Sequence, residues 1–303
     1  MIELIKDSNI NFVGARKIAI ICSMIAIVAG IGSIAVRGLN FSIDFAGGTV
    51  IQVKFEKPVH GDIGTIRSII DKLGFGTPEV KTIGAIENNE LQIMVRKQAE
   101  NNKVAENIKT ALQKSYTDNP FEVRRVENVG PKIGSELRQN AIIASLLSLL
   151  AILIYVGFRF NLPFGVAAVV PLFHDTMITL AVFSLLGREI SLTFLAALLT
   201  IIGYSLNDTI VIFDRIRENI KSGLRGKKIE DSINASINQT LSRTIITSAT
   251  TLFVVISLFV LGSEAIKDFA LALLIGIAVG TYSSVYVASP VLIWWHGKWS
   301  VAK

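Results

Sequence analysis

The chain has 303 residues, of which 51% are hydrophobic and 18% charged, with a formal net charge of +6 and a mean hydropathy of +0.54. So few charges must be concentrated outside long apolar blocks, the pattern of a membrane protein. The lone Cys22 excludes an intrachain disulfide, and three histidines with no ligand-spaced cluster offer nothing for a metal or cofactor.

A short basic segment, 1–17, precedes the first apolar block, Ile18–Val36, which carries no charge across nineteen residues. Ser33-Ile34-Ala35 has the small-x-small form of a signal-peptidase site. Signal-peptide apolar regions usually run 7–15 residues, so a retained span is expected instead.

The segment 37–139 is polar and has its own organisation. Thr49–Glu56 alternates apolar and polar residues like a half-buried strand, and Ile63, Ile66, Ile69, Ile70 and Leu73 repeat with helical spacing over Gly61–Leu73. Glu79–Ile83 and Glu90–Val95 predict two strands separated by a turn at Glu87-Asn88-Asn89. Asn101–Tyr116 predicts a helix and Phe121–Val126 a last strand. Strand, helix, strand, strand, helix, strand is the order of a ferredoxin-like α+β domain. No nucleophile–base pair or phosphate-cradling loop occurs in it, so a binding or mechanical module is expected rather than an enzyme.

Glycine-containing junctions flank this module. Asp44, Gly47 and Gly48 lie between the first span and the first strand, and Gly130-Pro131 lies between the last strand and the second span. One reading is local: a tight turn and a helix start. The other makes them hinges on which the module swings.

Five further blocks follow within 140–296: Ala141–Phe158, Leu162–Leu186, Ile190–Phe213, Ile245–Leu261 and Phe269–Trp295. Each is long enough to cross a hydrocarbon core of ~30 Å at 1.5 Å per residue. The fold class expected is therefore an α-helical polytopic membrane protein with six transmembrane helices and one extracytoplasmic ferredoxin-like domain. If the N-terminus is cytoplasmic, the inner segments hold thirteen Lys and Arg and the short outer loops only Arg188 and Lys267. Both termini, 1–17 and 297–303, are then cytoplasmic by the positive-inside rule. The positive charge follows from this topology and implies no nucleic acid. Within the cytoplasmic loop 214–242, Ile229, Ile233 and Ile237 predict an amphipathic helix lying against membrane lipid or a partner. Trp294, Trp295 and Trp299 are read as interfacial anchors.

Charge inside the spans carries the functional information, because an ionised carboxylate there costs roughly 2.5–3.5 kcal/mol on insertion scales. Asp208 lies about six residues past its span's midpoint, roughly 9 Å towards the cytoplasm. Ser205 and Ile212 share its face, and Asn207 beside it can hydrogen-bond into a polar core. It is either a proton carrier or a helix-end carboxylate that snorkels to water. Arg243 begins the fifth span with Thr247, Thr250 and Thr251 along its face. Because Arg stays protonated, its role is either to pair with a carboxylate and set its pKa or to anchor a helix end. His174 and Asp175 follow Pro171, which frees a backbone carbonyl. Adjacent residues diverge by about 100° on a helix, so these two are expected to face different partners, as proton carriers or as a satisfied hydrogen-bonding pair.

The run Gly38-Leu39-Asn40-Phe41-Ser42-Ile43-Asp44-Phe45-Ala46-Gly47-Gly48-Thr49 resembles the segment after the first span in the SecF family, membrane subunits of the bacterial Sec translocase. Thr200 to Asn219 (TIIGYSLNDTIVIFDRIREN) resembles that family's fourth-span signature, and His174-Asp175 and Gln239 to Ser248 (QTLSRTIITS) match it too. One departure is Ala46, where Thr is expected before the paired glycines. The resemblance implies half of an RND-superfamily bundle, completed by six spans from a SecD partner. It further implies a place in the bacterial inner membrane beside the SecYEG channel and the SecA motor, and use of the proton-motive force to finish export of a polypeptide. The alternative is a half-size RND-type exporter of a lipid or small amphiphile. One small outer insertion gives such a substrate little enclosure.

Overall fold

The computed structural model describes residues 8–76, 78–84, 88–96, 103–160, 162–221 and 229–300. Lys6, Glu87, Asn101, Arg225, Lys227, Lys228 and Lys303, and the side chains of Lys298 and Trp299, lie outside the described residues.

In chain order the elements are α1 (Arg16–Arg37), β1 (Asn40–Phe41), α2 (Ile43–Ala46), β2 (Gly48–Phe55), α3 (Ile63–Asp71), β3 (Glu79–Ile83), β4 (Glu90–Val95), α4 (Lys103–Ser115) and β5 (Phe121–Val129). Then come α5 (Pro131–Arg159), α6 (Leu162–Leu186), β6 (Glu189–Ile190), α7 (Leu192–Lys221), α8 (Ile229–Leu261), α9 (Glu264–Tyr286) and α10 (Ala288–Ser300). Among the described residues six helices are long and apolar enough to cross a membrane, the last running through α9 and α10. Their outward faces are apolar, as in Ile18, Val28, Phe253 and Leu261, because their expected surroundings are hydrocarbon rather than water.

The outer module forms an antiparallel sheet in the order β3-β4-β2-β5, the ferredoxin-like arrangement expected. Alternation along β2 sends Ile51, Val53 and Phe55 to one face, where they meet Ile66 and Ile70 of α3 and Val104, Ile108 and Leu112 of α4. The helical side chains recur at three- and four-residue intervals, so each helix presents one apolar stripe to that sheet face.

The junctions are close-packed. Gly47 and Gly48 have φ of 73° and 142°, conformations that favour glycine. A Cβ on Gly47 would stand 2.9 Å from Pro131 Cα, and one on Gly48 would stand 2.5 Å from Val95 O. Gly130 caps α5 and Pro131 is its first residue, the helix start expected. That helix begins ten residues before its apolar block, and Gly134 lets it lie against the backbone of Phe45 and Gly47.

The connection between the fourth and fifth spans, 214–242, differs most from the sequence reading. α7 runs on to Lys221 and α8 already begins at Ile229, so two spans continue as a helical hairpin past their apolar blocks. Ile233 and Ile237 are buried with Phe213 and Ile216, so protein rather than lipid covers this apolar face. The chain near the N-terminus docks on the same hairpin. Asn234 Oδ1 accepts from Val13 N and Asn238 Oδ1 from Ile10 N, while both side-chain amides donate to Ile10 O.

Candidate functional site

Two polar clusters occupy the helix bundle. The first is built on α6. His174 and Asp175 are 3% and 1% exposed, and His174 Nδ1 lies 2.9 Å from Asp175 Oδ1. Despite the expected divergence of neighbouring side chains, these two touch each other. The two still take different outer partners. His174 Nε2 meets Ser23 of α1 at 3.1 Å, and Asp175 Oδ2 accepts from Ser205 of α7 at 2.6 Å and Ser283 of α9 at 2.8 Å. Ser23 contacts Tyr282 at 3.1 Å, and Tyr282 donates to Ala19 O at 2.8 Å. Glycines make this convergence feasible: a Cβ on Gly276 would fall 2.3 Å from Ile201, and one on Gly280 3.0 Å from Ser205. Their absence of side chains lets α9 approach α7 closely enough for Ser283 to reach Asp175.

The contacts run as a chain across four helices, with Tyr282 donating to Ala19 O, Ser23 standing between Tyr282 and His174 Nε2, and Asp175 between His174 Nδ1 and the two serines. A buried polar group joined in this way avoids the cost of an unmade hydrogen bond.

The second cluster lies one turn along α7 and is far less complete. Asp208 is 3% exposed, yet its side-chain contact is a 3.5 Å approach from Ser248 Oγ of α8. Ser248 has a better partner in Thr281 Oγ1 at 2.8 Å, and Thr281 itself donates to Ile277 O. Arg243 lies within electrostatic range of Asp208 but forms no ion pair with it, and its side chain is exposed. Thr247, one turn on, is half-buried and returns its hydroxyl to the carbonyls of Arg243 and Thr244. Asn207 is exposed on the outer side of α7, in line with Thr200 and Gly203, so it does not join the polar core with Asp208. The reason is the same 100° step between adjacent helical residues.

A third arrangement ties the outer module to the start of α7. Asp44 Oδ2 accepts from Leu192 N, the first residue of that helix, while Ser191 Oγ accepts from Phe194 N. These two side chains satisfy amides left open at a helix N-terminus, and the negative charge suits the dipole. Alongside, β1 pairs in parallel with β6, and Lys81 of the module donates to Glu189 at 2.8 Å. Burial pulls the Lys81 ammonium down, but the carboxylates of Glu189 and Glu79 more than offset this and hold it above the usual lysine value.

Sequence reasoning therefore picked out His174, Asp175, Asp208 and Arg243, and placed Ser205 on the face of Asp208. It missed Ser23, Ser248, Thr281, Tyr282 and Ser283, whose signal is faint because serine, threonine and tyrosine are common in any helix. It also gave Asp44 no partner. Among the described residues no group of three or more His, Cys, Asp or Glu side chains is placed to hold a metal ion.

Residues 107–298 match the family described as protein export membrane protein SecD/SecF, C-terminal, and residues 32–59 match the SecD/SecF GG motif. The chain is 47% identical over 290 residues to the protein translocase subunit SecF of Calditerrivibrio nitroreducens, covering 95% of each. It is 41% identical to the subunit of that name from Pseudomonas aeruginosa, covering 96% of this chain and 92% of that one. A crystal structure of SecDF, a translocon-associated membrane protein from Thermus thermophilus, superposes with a TM-score of 0.85 at 40% identity. That match covers 96% of this chain and 39% of the larger SecDF chain.

Proposed function

The chain belongs to the SecF family of protein translocase subunits, and on that premise we propose that it works with a SecD partner to spend the proton-motive force on the late stage of protein export. In this reading it sits in the bacterial inner membrane with both termini cytoplasmic, and the outer module handles the polypeptide that SecA and SecYEG have delivered. The SecD half of the bundle covers the exposed stripe of Thr200, Gly203 and Asn207 and the Arg243–Thr247 face of α8.

The observation that carries this reading is the state of Asp208. A buried carboxylate without a good hydrogen-bond partner costs free energy, which protonation or a nearby cation relieves. Arg243 stands near enough to be that cation, and its guanidinium is free to be claimed by a carboxylate of the partner. Each proton that crosses the field contributes roughly 2.3 kcal/mol per 100 mV. Protonation of Asp208 releases or engages Arg243, and the helices bearing them shift. His174 and Asp175 hold a second proton store within the same bundle. α7 starts on Asp44, so movement of α7 reaches the junction at Gly47, Gly48, Gly130 and Pro131 and swings the module.

The test is pulse-chase export of a secreted reporter in cells depleted of their own SecF and supplied with this chain, Asp208→Asn or Arg243→Ala. Membrane level and co-purification with SecD are followed in parallel. Wild-type rescue with both variants inactive is the expected outcome, and full rescue by both variants removes these two residues from the driving mechanism.

A further inference from the structure

Five hydroxyl side chains stand at four-residue intervals along α8: Ser232, Ser236, Thr240, Thr244 and Ser248, with 2, 0, 8, 3 and 4% exposure. Such spacing stacks them on one helix face. The row starts beside Asp208, at Ser248, and runs towards the end of the α7–α8 hairpin that docks the N-terminal segment. There Asn219 donates to Ser236 Oγ at 2.8 Å and to Gln239 at 2.9 Å.

Close packing explains small residues in such a row, and most of the hydroxyls in α8 are satisfied by a carbonyl in the preceding turn. Ser236 donates to Ser232 O and Thr240 to Ser236 O, and on the outer side Thr247, Thr250 and Thr251 do the same. Thr244 breaks the pattern. Its Oγ1 is buried and has no hydrogen-bonding partner among the described residues. An unpaired buried hydroxyl is costly, and a water bridging it to neighbouring polar groups removes the cost. Side chains one turn apart have Cβ atoms about 5–6 Å from each other. That is the distance one water covers with two hydrogen bonds of roughly 2.8 Å each.

We infer that this row is the inward half of the proton route, with a water held at Thr244 Oγ1 linking Ser248 and Asp208 to Thr240 and the aqueous end of the hairpin. The inference rests on the reading of Asp208 as proton acceptor and adds where its proton goes. The hydroxyl oxygens hold and orient the waters, and the proton moves along the waters, so no hydroxyl needs to change its own carbonyl bond. Asp208 gives its proton to the water at Thr244, which passes one on towards bulk, and the carboxylate is left ready for the next. The charged groups near the row are Asp208 on α7, Arg243 on the exposed side of α8, Arg215 and Glu218 at the α7 end, and, beside Ser232 at the start of α8, Asp231 and Glu230 with its partner Arg16. From α9 the facing group is the uncharged Thr281. Arg243 disfavours a proton that lingers near Thr244, so passage rather than storage is the chemistry this stretch suits.

The experiment uses inner-membrane vesicles containing this chain with its SecD partner, and reads the export rate driven by an imposed pH gradient, in H2O and in D2O. Thr244→Val keeps the shape and removes the hydroxyl, and Thr244→Ser keeps the hydroxyl. Thr244→Val is expected to slow gradient-driven export several-fold and to enlarge the H2O/D2O rate ratio at unchanged membrane level, with Thr244→Ser close to wild type. Should Thr244→Val not accumulate, Thr240→Val takes its place under the same criteria. Equal slowing by the Val and Ser variants, or wild-type rates in Thr244→Val beside an inactive Asp208→Asn, overturns the route and leaves Asp208 as acceptor. Wild-type rates in Asp208→Asn as well overturn the function proposed above.

Discussion

His174–Asp175 on α6 and Asp208–Arg243 on α7 and α8 are the two polar clusters of one bundle, reached one helical turn apart on α7 at Ser205 and Asp208, and they are finished to different degrees. Asp175 makes three hydrogen bonds with three residues of this chain, two of them accepted from serines, and His174 uses both ring nitrogens. Asp208 has one contact at 3.5 Å, and Arg243 forms no ion pair among the described residues. A buried polar network that is complete adds rigidity, and one that is partial is costly until something completes it. The first cluster therefore joins α1, α6, α7 and α9 into a unit, and in the function proposed above the second is where that unit takes up a proton and meets the partner.

The largest effect expected is on export, from Asp208→Asn. It is nearly isosteric and abolishes gradient-driven export while the chain accumulates normally, as pulse-chase and membrane blotting will record. An equal fall in accumulation would erase the contrast between the clusters. Asp175→Ala should act the other way, on stability first. It strands an imidazole and two serine hydroxyls, and removing one partner of a buried pair costs about 3–5 kcal/mol. Thermal unfolding in detergent should show a clear loss of stability relative to Asp208→Asn. Ser23→Ala removes two interhelical contacts, to His174 and Tyr282, and at about 0.6 kcal/mol each on transmembrane precedents it should cost about 1 kcal/mol, with Tyr282 and His174 keeping their other contacts. A cost as large as that of Asp175→Ala would mean that Ser23 supports the whole cluster.

The smallest effect concerns the link between module and membrane. The Lys81 ammonium is held above its ordinary value of 10.5, so its contribution to docking is fully present below that value. It falls only as the pH rises through the raised one. Cross-linking between β3 and the α6–α7 turn should be constant through neutral pH and weaken in strong alkali, and Lys81→Met should lower it at every pH. A loss of docking near neutrality in the wild type would assign the link to other groups.

The ferredoxin-like order was legible because its signals are local. The apolar alternation of Thr49–Glu56 and the helical repeats of Ile63–Leu73 and Val104–Leu112 each report their own element within a few residues. Helix ends were less legible. Hydropathy loses α8 where its polar residues begin, although backbone hydrogen bonding carries the helix back to Ile229. Gly47 and Gly48 invited a hinge reading from sequence, and the structure adds that strand and helix backbones crowd both positions.

What the sequence determined by itself is the class of molecule: six apolar spans, one small outer module, and charge in places where the membrane makes charge expensive. That follows from local composition, because the cost of a buried carboxylate or an apolar run is a property of the residues themselves. Which charges are satisfied was decided only by tertiary structure. Ser23 and His174 stand 151 positions apart in the chain, and Asp175 and Ser283 108 apart. Pairings at that range depend on how closely helices approach, and here the approach of α7 and α9 is set by Gly276 and Gly280 rather than by any residue of the clusters.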